Sequence, residues 1–259
     1  MTTGLTAGQR SGPVTGDAFG LMLREAWRRH EAGRLFARSM VQIVERDDGM
    51  LLVGPAKFYL SGPAGWFDCE RAVLDGLAGH VLDVGAGAGR LALALQERGV
   101  DVTALDPSPA AVEVCRQRGV RRTVQATLTD HARSGERYDR VALFGNCLGL
   151  LTSADRAPAV LADLRRLVRP GGRVVAVGTD PAYLADPATL DYLERNRAEG
   201  RLPGQWRVRE RFRDVATPWT DFLWCAVEDL ERLLAGSPWR LAGVTPGADG
   251  NYAAELALR

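Results

Sequence analysis

Val81-Leu82-Asp83-Val84-Gly85-Ala86-Gly87-Ala88-Gly89-Arg90 is the stretch that decides how this chain folds. Four residues of a short, mostly apolar run predict a buried strand, and alternating glycines follow at once. Without Cβ atoms, such a turn lets backbone and ligand approach closely. Arg90–Arg98 then reads as a helix whose first N–H groups point back at the turn, a ready site for an anion or polar ligand. In an open α/β sheet, ligands bind at the carboxyl ends of the strands, which is where this turn sits.

Strand and helix alternate from there. Asp101–Leu105 reads as a second strand and Pro109–Arg118 as a helix. Arg122–Ala126 is a third strand and Tyr138–Phe144 a fourth, followed by a long helix over Ala154–Val168. Pro170-Gly171-Gly172 is expected to break the chain before a fifth strand, Arg173–Val177. This order predicts an α/β fold with a parallel sheet covered on both faces. Ala226–Leu234 reads as a helix. Arg240–Val244 and Tyr252–Leu258 are strands joined by a short turn, so they should pair antiparallel.

The glycine spacing separates two cofactor classes. A nicotinamide fingerprint is G-x-G-x-x-G; here the third glycine comes one residue early, and Arg90 holds the expected position. A second landmark is Asp106, which closes the second strand, where an acid can accept hydrogen bonds from both hydroxyls of a ribose. A plain alternative for Asp106 is to cap a helix before Pro107.

Asp83, Gly85, Gly87 and Gly89, together with Asp106, resemble the E/D-x-G-x-G-x-G motif and ribose acid of the class I S-adenosylmethionine-dependent methyltransferases. The likeness runs from about Val81 to Val177 and resumes in the C-terminal hairpin. It implies a Rossmann-like, seven-stranded, mostly parallel sheet with an antiparallel C-terminal hairpin. It implies S-adenosyl-L-methionine as cofactor and S-adenosyl-L-homocysteine as product. The implied cofactor-binding residues are Asp83, Gly85, Ala86, Gly87, Gly89, Asp106, Pro107, Thr127, Leu128, Asn146 and Tyr59. Asn146 takes the position after strand four that often lines the methionine end. One feature departs from the family: where many members carry an acid near the end of strand three, this chain has Ala126 or Thr127. Asp130 or the Leu128 backbone N–H are the candidates to replace it. More narrowly, Asn196–Trp206 and Pro218–Leu234 look like small-molecule methyltransferases of bacterial specialised metabolism.

The function implied is methyl transfer to an O, N or C atom of a small molecule, a natural-product intermediate. Positioning of the acceptor at about 3 Å in line with the methyl–sulfur bond would supply much of the rate. The alternative is a non-methylating enzyme, such as a cyclase, on the same scaffold. A nicotinamide oxidoreductase is opposed by the glycine spacing and the terminal hairpin, and a cofactor-sensing module by an insertion that reads as enclosing something small.

Outside the core, residues 1–16 are expected to be a flexible tail and 17–79 an N-terminal cap. The cap should hold a helix over Asp17–Gly33 with Asp17 as N-cap, and a hairpin of Ser39–Glu45 and Met50–Val53 turning at Asp47-Asp48-Gly49. A loop over Gly54–Trp66 and a helix over Asp68–Leu77, ended by Gly79, complete it. The methyltransferase core is read as 80–259, with a substrate-covering insertion at about 180–225. Trp206, Phe212, Trp219, Phe222 and Trp224 crowd that insertion. Arg207, Arg209, Arg211 and Arg213 alternate with Val208 and Phe212, as in a strand with one solvated face.

The chain has 259 residues, a net charge of +1 and 25% charged residues. Dispersed arginines without a basic excess argue against nucleic acid as a partner. Cys69, Cys115, Cys147 and Cys225 lie far apart, without metal-ligand spacing, and read as reduced thiols; no metal is expected. With no apolar run long enough to cross a bilayer, no membrane partner and a cytoplasmic location are expected, as a monomer or homodimer. Only three histidines are present. His80 reads as structural and His131 as lying near the adenine or at the surface. His30 is the weak catalytic candidate, against a plain role at a helix C-terminus, where its charge suits the dipole.

Overall fold

The computed structural model describes residues 13–34, 40–184 and 186–259. The chain opens with β1 (Val14–Thr15) and α1 (Ala18–Glu31), which Asp17 caps by accepting the Gly20 N–H at 2.9 Å. The hairpin β2 (Val41–Arg46) and β3 (Leu51–Pro55) follows, then two short 3₁₀ turns, Ala56–Leu60 and Pro63–Gly65, and α2 (Asp68–Val73). The expected residue Ser39 lies outside the described residues.

The alternating core then begins: β4 (His80–Val84), α3 (Arg90–Glu97), β5 (Asp101–Asp106), α4 (Pro109–Gln117), β6 (Thr123–Gln125) and α5 (Leu128–His131). It continues with β7 (Tyr138–Leu143), α6 (Ala157–Leu167) and β8 (Val168–Thr179). The insertion supplies α7 (Pro187–Ala198), β9 (Gln205–Phe212), β10 (Val215–Ala216) and β11 (Thr220–Leu223). The chain closes with α8 (Val227–Leu234), β12 (Trp239–Pro246) and β13 (Asn251–Leu258).

Seven strands form one sheet in the order β12-β13-β8-β7-β4-β5-β6. From β8 to β6 the pairs are parallel, and β13 runs antiparallel to both β8 and β12. The two faces of the sheet bury alternate residues of each strand. Leu82, Val84, Val141 and Leu143 pack with α6, α8 and Trp239 on one side. Val81, Ala142 and Val175 pack with α3, Leu74 and Leu77 on the other. Burial on both faces explains why these strands read as nearly continuous apolar runs. Because β4 lies between β5 and β7, chain order reverses beside it, and the carboxyl end of β4 opens onto the crevice such a reversal creates.

A second sheet covers that end. Its order is β1-β10-β9-β2-β3, with β11 also on β9. It is assembled from three segments far apart in sequence: the start of the chain, the cap hairpin and the insertion. Pairing of Val14 with Val215 and Thr15 with Ala216 ties down the end of the stretch expected to be a flexible tail. Residues 1–12 of that tail lie outside the described residues. Glu45 accepts from Arg209 at 2.8 Å and Arg211 at 3.3 Å across this sheet. The arginine stripe of β9 is therefore paired on its outer face, not merely solvated.

Two of the departures from the expected boundaries have a plain physical cause. The helix expected from Ala154 starts at Ala157, because Pro158 has no N–H to give the Ala154 carbonyl. Pro170-Gly171-Gly172 does not end a segment. It forms a bulge inside β8, where the register with β7 shifts between Tyr138↔Val168 and Arg140↔Arg173 and Gly171 takes φ +77°. A bulge absorbs extra residues at an element's end without ending the pairing. No helix among the described residues is long and apolar enough to cross a membrane.

The second sheet carries a buried cation. Arg46 is 0% exposed, pairs with Asp48 at 2.8 Å and donates to Thr189 Oγ1 at 3.2 Å. Its guanidinium lies over the rings of Tyr192 at 4.2 Å and Trp206 at 4.6 Å. It thereby fastens α7 to the sheet. Losing one side of such an arrangement strands the remaining groups. Arg46→Ala is expected to destabilise the protein by about 3 kcal/mol, read as a lower midpoint in urea unfolding.

Candidate active site

The turn after β4 is built by three left-handed glycines: Gly85, Gly87 and Gly89 have φ of +71°, +55° and +76°. L-residues avoid this region. Space forbids a side chain too, since a Cβ on Gly89 would lie 2.7 Å from Val120 Cγ2 and one on Gly85 2.8 Å from Cys147 Sγ. The Gly85 and Ala86 N–H groups both donate to the Leu105 carbonyl, at 2.9 and 3.1 Å. The turn is thus fixed against the end of β5, and α3 starts directly behind it at Arg90.

Asp106 completes the bracing. Its Oδ2 accepts the Gly87 N–H and its Oδ1 the Ser108 N–H, each at 2.9 Å. Ser108 caps α4 by accepting the Ala111 N–H at 2.9 Å, and its hydroxyl donates to Asp17 Oδ2 at 2.7 Å. The start of α1 is therefore latched onto the residue two places after Asp106. Pro107, between them, is exposed.

Burial shapes the charges. Asp83 is pushed up to about 7 by desolvation, which outweighs the pull of the Arg90 charge and the Ala92 amide. Asp106 is pushed up to about 6 by burial, against its two backbone hydrogen bonds. Asp83 Oδ2 and Asn146 Oδ1 are buried with no hydrogen-bond partner. Asn146 follows β7 in the left-handed region, φ +68°, so the two orphaned oxygens belong to the ends of neighbouring strands.

Arg90 has a partner that sequence reading missed. It is 7% exposed and forms a forked pair with Glu70 of α2, at 2.9 Å to Oε2 and 2.5 Å to Oε1. The Gly145 N–H also donates to Glu70 Oε1 at 2.7 Å. The rings of Phe58 and Trp66 lie 4.5 and 4.8 Å from the guanidinium. One ion pair thus joins the cap, the glycine turn and the loop after β7. The available sequence signal was a charged residue at the first position of a buried helix, which demands an opposite charge.

Above the turn lie the cap and the second sheet. Phe19 and Leu23 of α1 come within 3.9 Å of a Cβ placed on Gly87. Arg118, at the end of α4, donates to the Ala88, Tyr59 and Leu60 carbonyls and pins the 3₁₀ turn to the glycine loop. Tyr59 donates its hydroxyl to Gln42 Oε1 at 2.6 Å, and Gln42 donates to Glu210 Oε1 at 2.7 Å. Burial raises Tyr59, Cys147 (to about 12) and Glu210 (to about 7), yet each keeps accessible surface. All three side chains are largely surrounded by protein without being wholly buried. Gln42, Glu210 and Cys147 carried no signal in the sequence.

Thr127 and Leu128 follow the end of β6 that pairs with Asp106 of β5, whereas none of the three histidines meets the glycine turn. Thr127 caps α5: it accepts the Asp130 N–H at 3.1 Å and donates to Asp130 Oδ2 at 2.7 Å, so Asp130 is engaged locally and with Arg133. Leu128 is partly buried against the core. His131 is neither at the surface nor beside the turn; it is 4% exposed and its Nε2 lies 2.8 Å from the Tyr138 hydroxyl, at the opposite end of β7 from Asn146. His80 lies 3.3 Å from Thr103 Oγ1 at the amino end of β4. His30 is exposed, its ring stacked on Trp27.

A strand-braced glycine turn with an acid closing the next strand is the ligand-binding arrangement of the open α/β class. Residues 81–172 match the family model described as a methyltransferase domain. The fold is similar to a solved S-adenosylmethionine-dependent methyltransferase from Bacteroides fragilis in complex with S-adenosyl-L-homocysteine. That likeness has a TM-score of 0.78 and 26% identity, and covers 93% of this chain and 94% of that one. A ubiquinone biosynthesis O-methyltransferase from Alkalilimnicola ehrlichii is 38% identical over 152 residues, spanning 55% of this chain and 60% of that protein. A cypemycin N-terminal methyltransferase from Streptomyces sp. is 29% identical over 212 residues, 75% of this chain and 83% of that protein. The chain is thus similar, over its alternating core, to class I S-adenosylmethionine-dependent methyltransferases.

The raised Asp83 has a stability consequence. A carboxyl whose folded pKa exceeds its unfolded value contributes stability fully present below the unfolded value, near 4, and lost as pH rises through about 7. Asp83→Asn, measured by thermal unfolding without ligand, should therefore gain on wild type as pH rises from 5 to 8, by a few degrees in Tm.

Proposed function

We propose that the protein moves the methyl group of S-adenosylmethionine to an O, N or C atom of a small molecule, a natural-product intermediate. The observation that carries this reading is the pair of orphaned oxygens, Asp83 Oδ2 and Asn146 Oδ1, beside a turn without Cβ atoms. A buried polar atom left unpaired costs about 1–3 kcal/mol. A ligand ammonium donating to Asp83 and a further donor to Asn146 would remove that cost.

The residues divide the cofactor among them. The second lone pairs of Asp106 accept the two ribose hydroxyls. The backbone of Gly85, Ala86, Gly87 and Gly89 lies against the amino-acid part, with Asp83 and Asn146 at its amine. Pro107, Thr127 and Leu128 flank the adenine, where the Leu128 N–H stands in for the absent acid. Tyr59 covers the methionine end. The cofactor supplies a methyl group already activated by its sulfonium. The chain's own work is to position the acceptor and keep water away from it, beside Phe19, Tyr59 and Cys147. The cypemycin N-terminal methyltransferase is a relative whose name is consistent with an acceptor in specialised metabolism. The enclosing roof supports a small acceptor over a macromolecular one.

Isothermal titration should give binding of S-adenosylhomocysteine that weakens roughly 10- to 100-fold in Asp106→Asn, through loss of charge-assisted bonds to ribose. In wild type the affinity should fall as pH drops through about 6, where Asp106 takes up a proton. Label from methyl-labelled S-adenosylmethionine should appear in the low-molecular-mass fraction of a metabolite extract. Folded protein that binds neither cofactor form rejects the reading.

A further inference from the structure

Glu210, half-buried beside Gln42 and Tyr59, is a feature that positioning a cofactor leaves unexplained. It lies on β9 opposite Val44 of β2, on the face shared by Trp206, Val208 and Phe212. That face looks toward the core: Phe222, which pairs with Trp206, would touch a Cβ on Gly149. Of the two carboxylate oxygens, Oε1 accepts from Gln42 at 2.7 Å, and Gln42 in turn is held by the Tyr59 hydroxyl at 2.6 Å. Among the described residues, no hydrogen bond or ion pair to Oε2 is seen and no cation pairs with Glu210.

The surroundings sharpen the point. From β2, Gln42 is the polar neighbour; from the turn after β3, Tyr59; beyond β10, Thr217, whose hydroxyl accepts the Glu210 N–H at 2.9 Å. Arg209 and Arg211 turn to the opposite face and pair with Glu45. From α1, the charge reaching β9 is Glu25, which meets Arg213 past the end of the strand. Of the cations around the glycine turn, Arg90 is committed to Glu70 and Arg118 to backbone carbonyls. A carboxyl in a protein interior is normally paired. Here no arginine among the described residues pairs with the carboxylate.

We propose that Glu210 holds the acceptor through a positive charge, which makes the substrate an amine. This rests on the methyltransferase reading above. The amine arrives as an ammonium and donates to Glu210 Oε2, while Gln42 and Tyr59 fix the carboxylate's orientation through Oε1. One ammonium proton passes to Oε2, and the freed nitrogen lone pair forms the new N–C bond as the S–C bond breaks. The proton then leaves Glu210 for solvent, and the product is the N-methylated ammonium. A phenol or alcohol would bring no charge to match the carboxylate. Burial raises Glu210 to about 7, so the carboxylate is available at and above neutral pH and takes a proton at moderate cost.

The test uses the intact protein saturated with S-adenosylhomocysteine, with benzylamine and benzyl alcohol as probes, by titration calorimetry. Wild type should bind the amine at least ten-fold more tightly than the alcohol at pH 8. That preference should shrink as pH falls through about 7. Glu210→Gln keeps the shape and the Gln42 contact; it should erase the preference with S-adenosylhomocysteine affinity unchanged. Equal affinity for the two probes, no measurable heat from the amine, or a preference that survives in Glu210→Gln overturns the proposal. Failure to bind S-adenosylhomocysteine would instead refute the methyltransferase reading on which it stands.

Discussion

One carboxylate organises this molecule. Asp106 accepts the N–H of Gly87 with one oxygen and that of Ser108 with the other. The first bond holds the glycine turn in a shape that L-residues avoid. The second sets up Ser108, whose hydroxyl anchors Asp17 and so the start of α1. Cofactor turn, following helix and cap are thus joined through a single buried acid. Burial works against its charge, and two backbone amides work for it. The outcome is a group near the boundary of ionisation.

The cap is held by a second, independent device. Glu70 and Arg90 are almost wholly buried and fork-paired, with Gly145 also donating to the acid. A pair of this kind contributes little net stability, since desolvation offsets most of the attraction. Its effect is on placement. It fixes where α2 stands relative to the loops after β4 and β7.

What sequence could and could not reveal follows from the range of the forces. The glycine turn, the strand before it and Asp106 were legible because each is a local requirement: positive φ at Gly85, Gly87 and Gly89, burial of Val81–Val84, an acid ending a strand. The C-terminal hairpin was legible from its short turn. The second sheet was not. β9 was readable as a strand from its arginine alternation, but nothing local says that it pairs with β2, some 160 positions earlier. The same holds for Glu70 with Arg90 and for Gln42 with Glu210, which meet only after the sheet has formed. The start of α6 was misplaced because Pro158 outranks propensity, and the break at Pro170 was misplaced because a bulge can carry glycine and proline within a strand.

The composition of the second sheet also bears on how the protein is made. β1 and the β2–β3 hairpin come from residues near the start of the chain, yet their partners β10 and β9 are synthesised last but for β11, α8 and the C-terminal hairpin. On a ribosome the β2–β3 hairpin must wait, with an open strand edge, for most of the remaining chain to emerge. Unpaired edges of this kind invite wrong partners during slow, long-range assembly. The charged stripe on β2 and β9, Glu45 facing Arg209 and Arg211, then acts as an address: a stray neutral or acidic strand finds no match there, and the late-arriving basic one does.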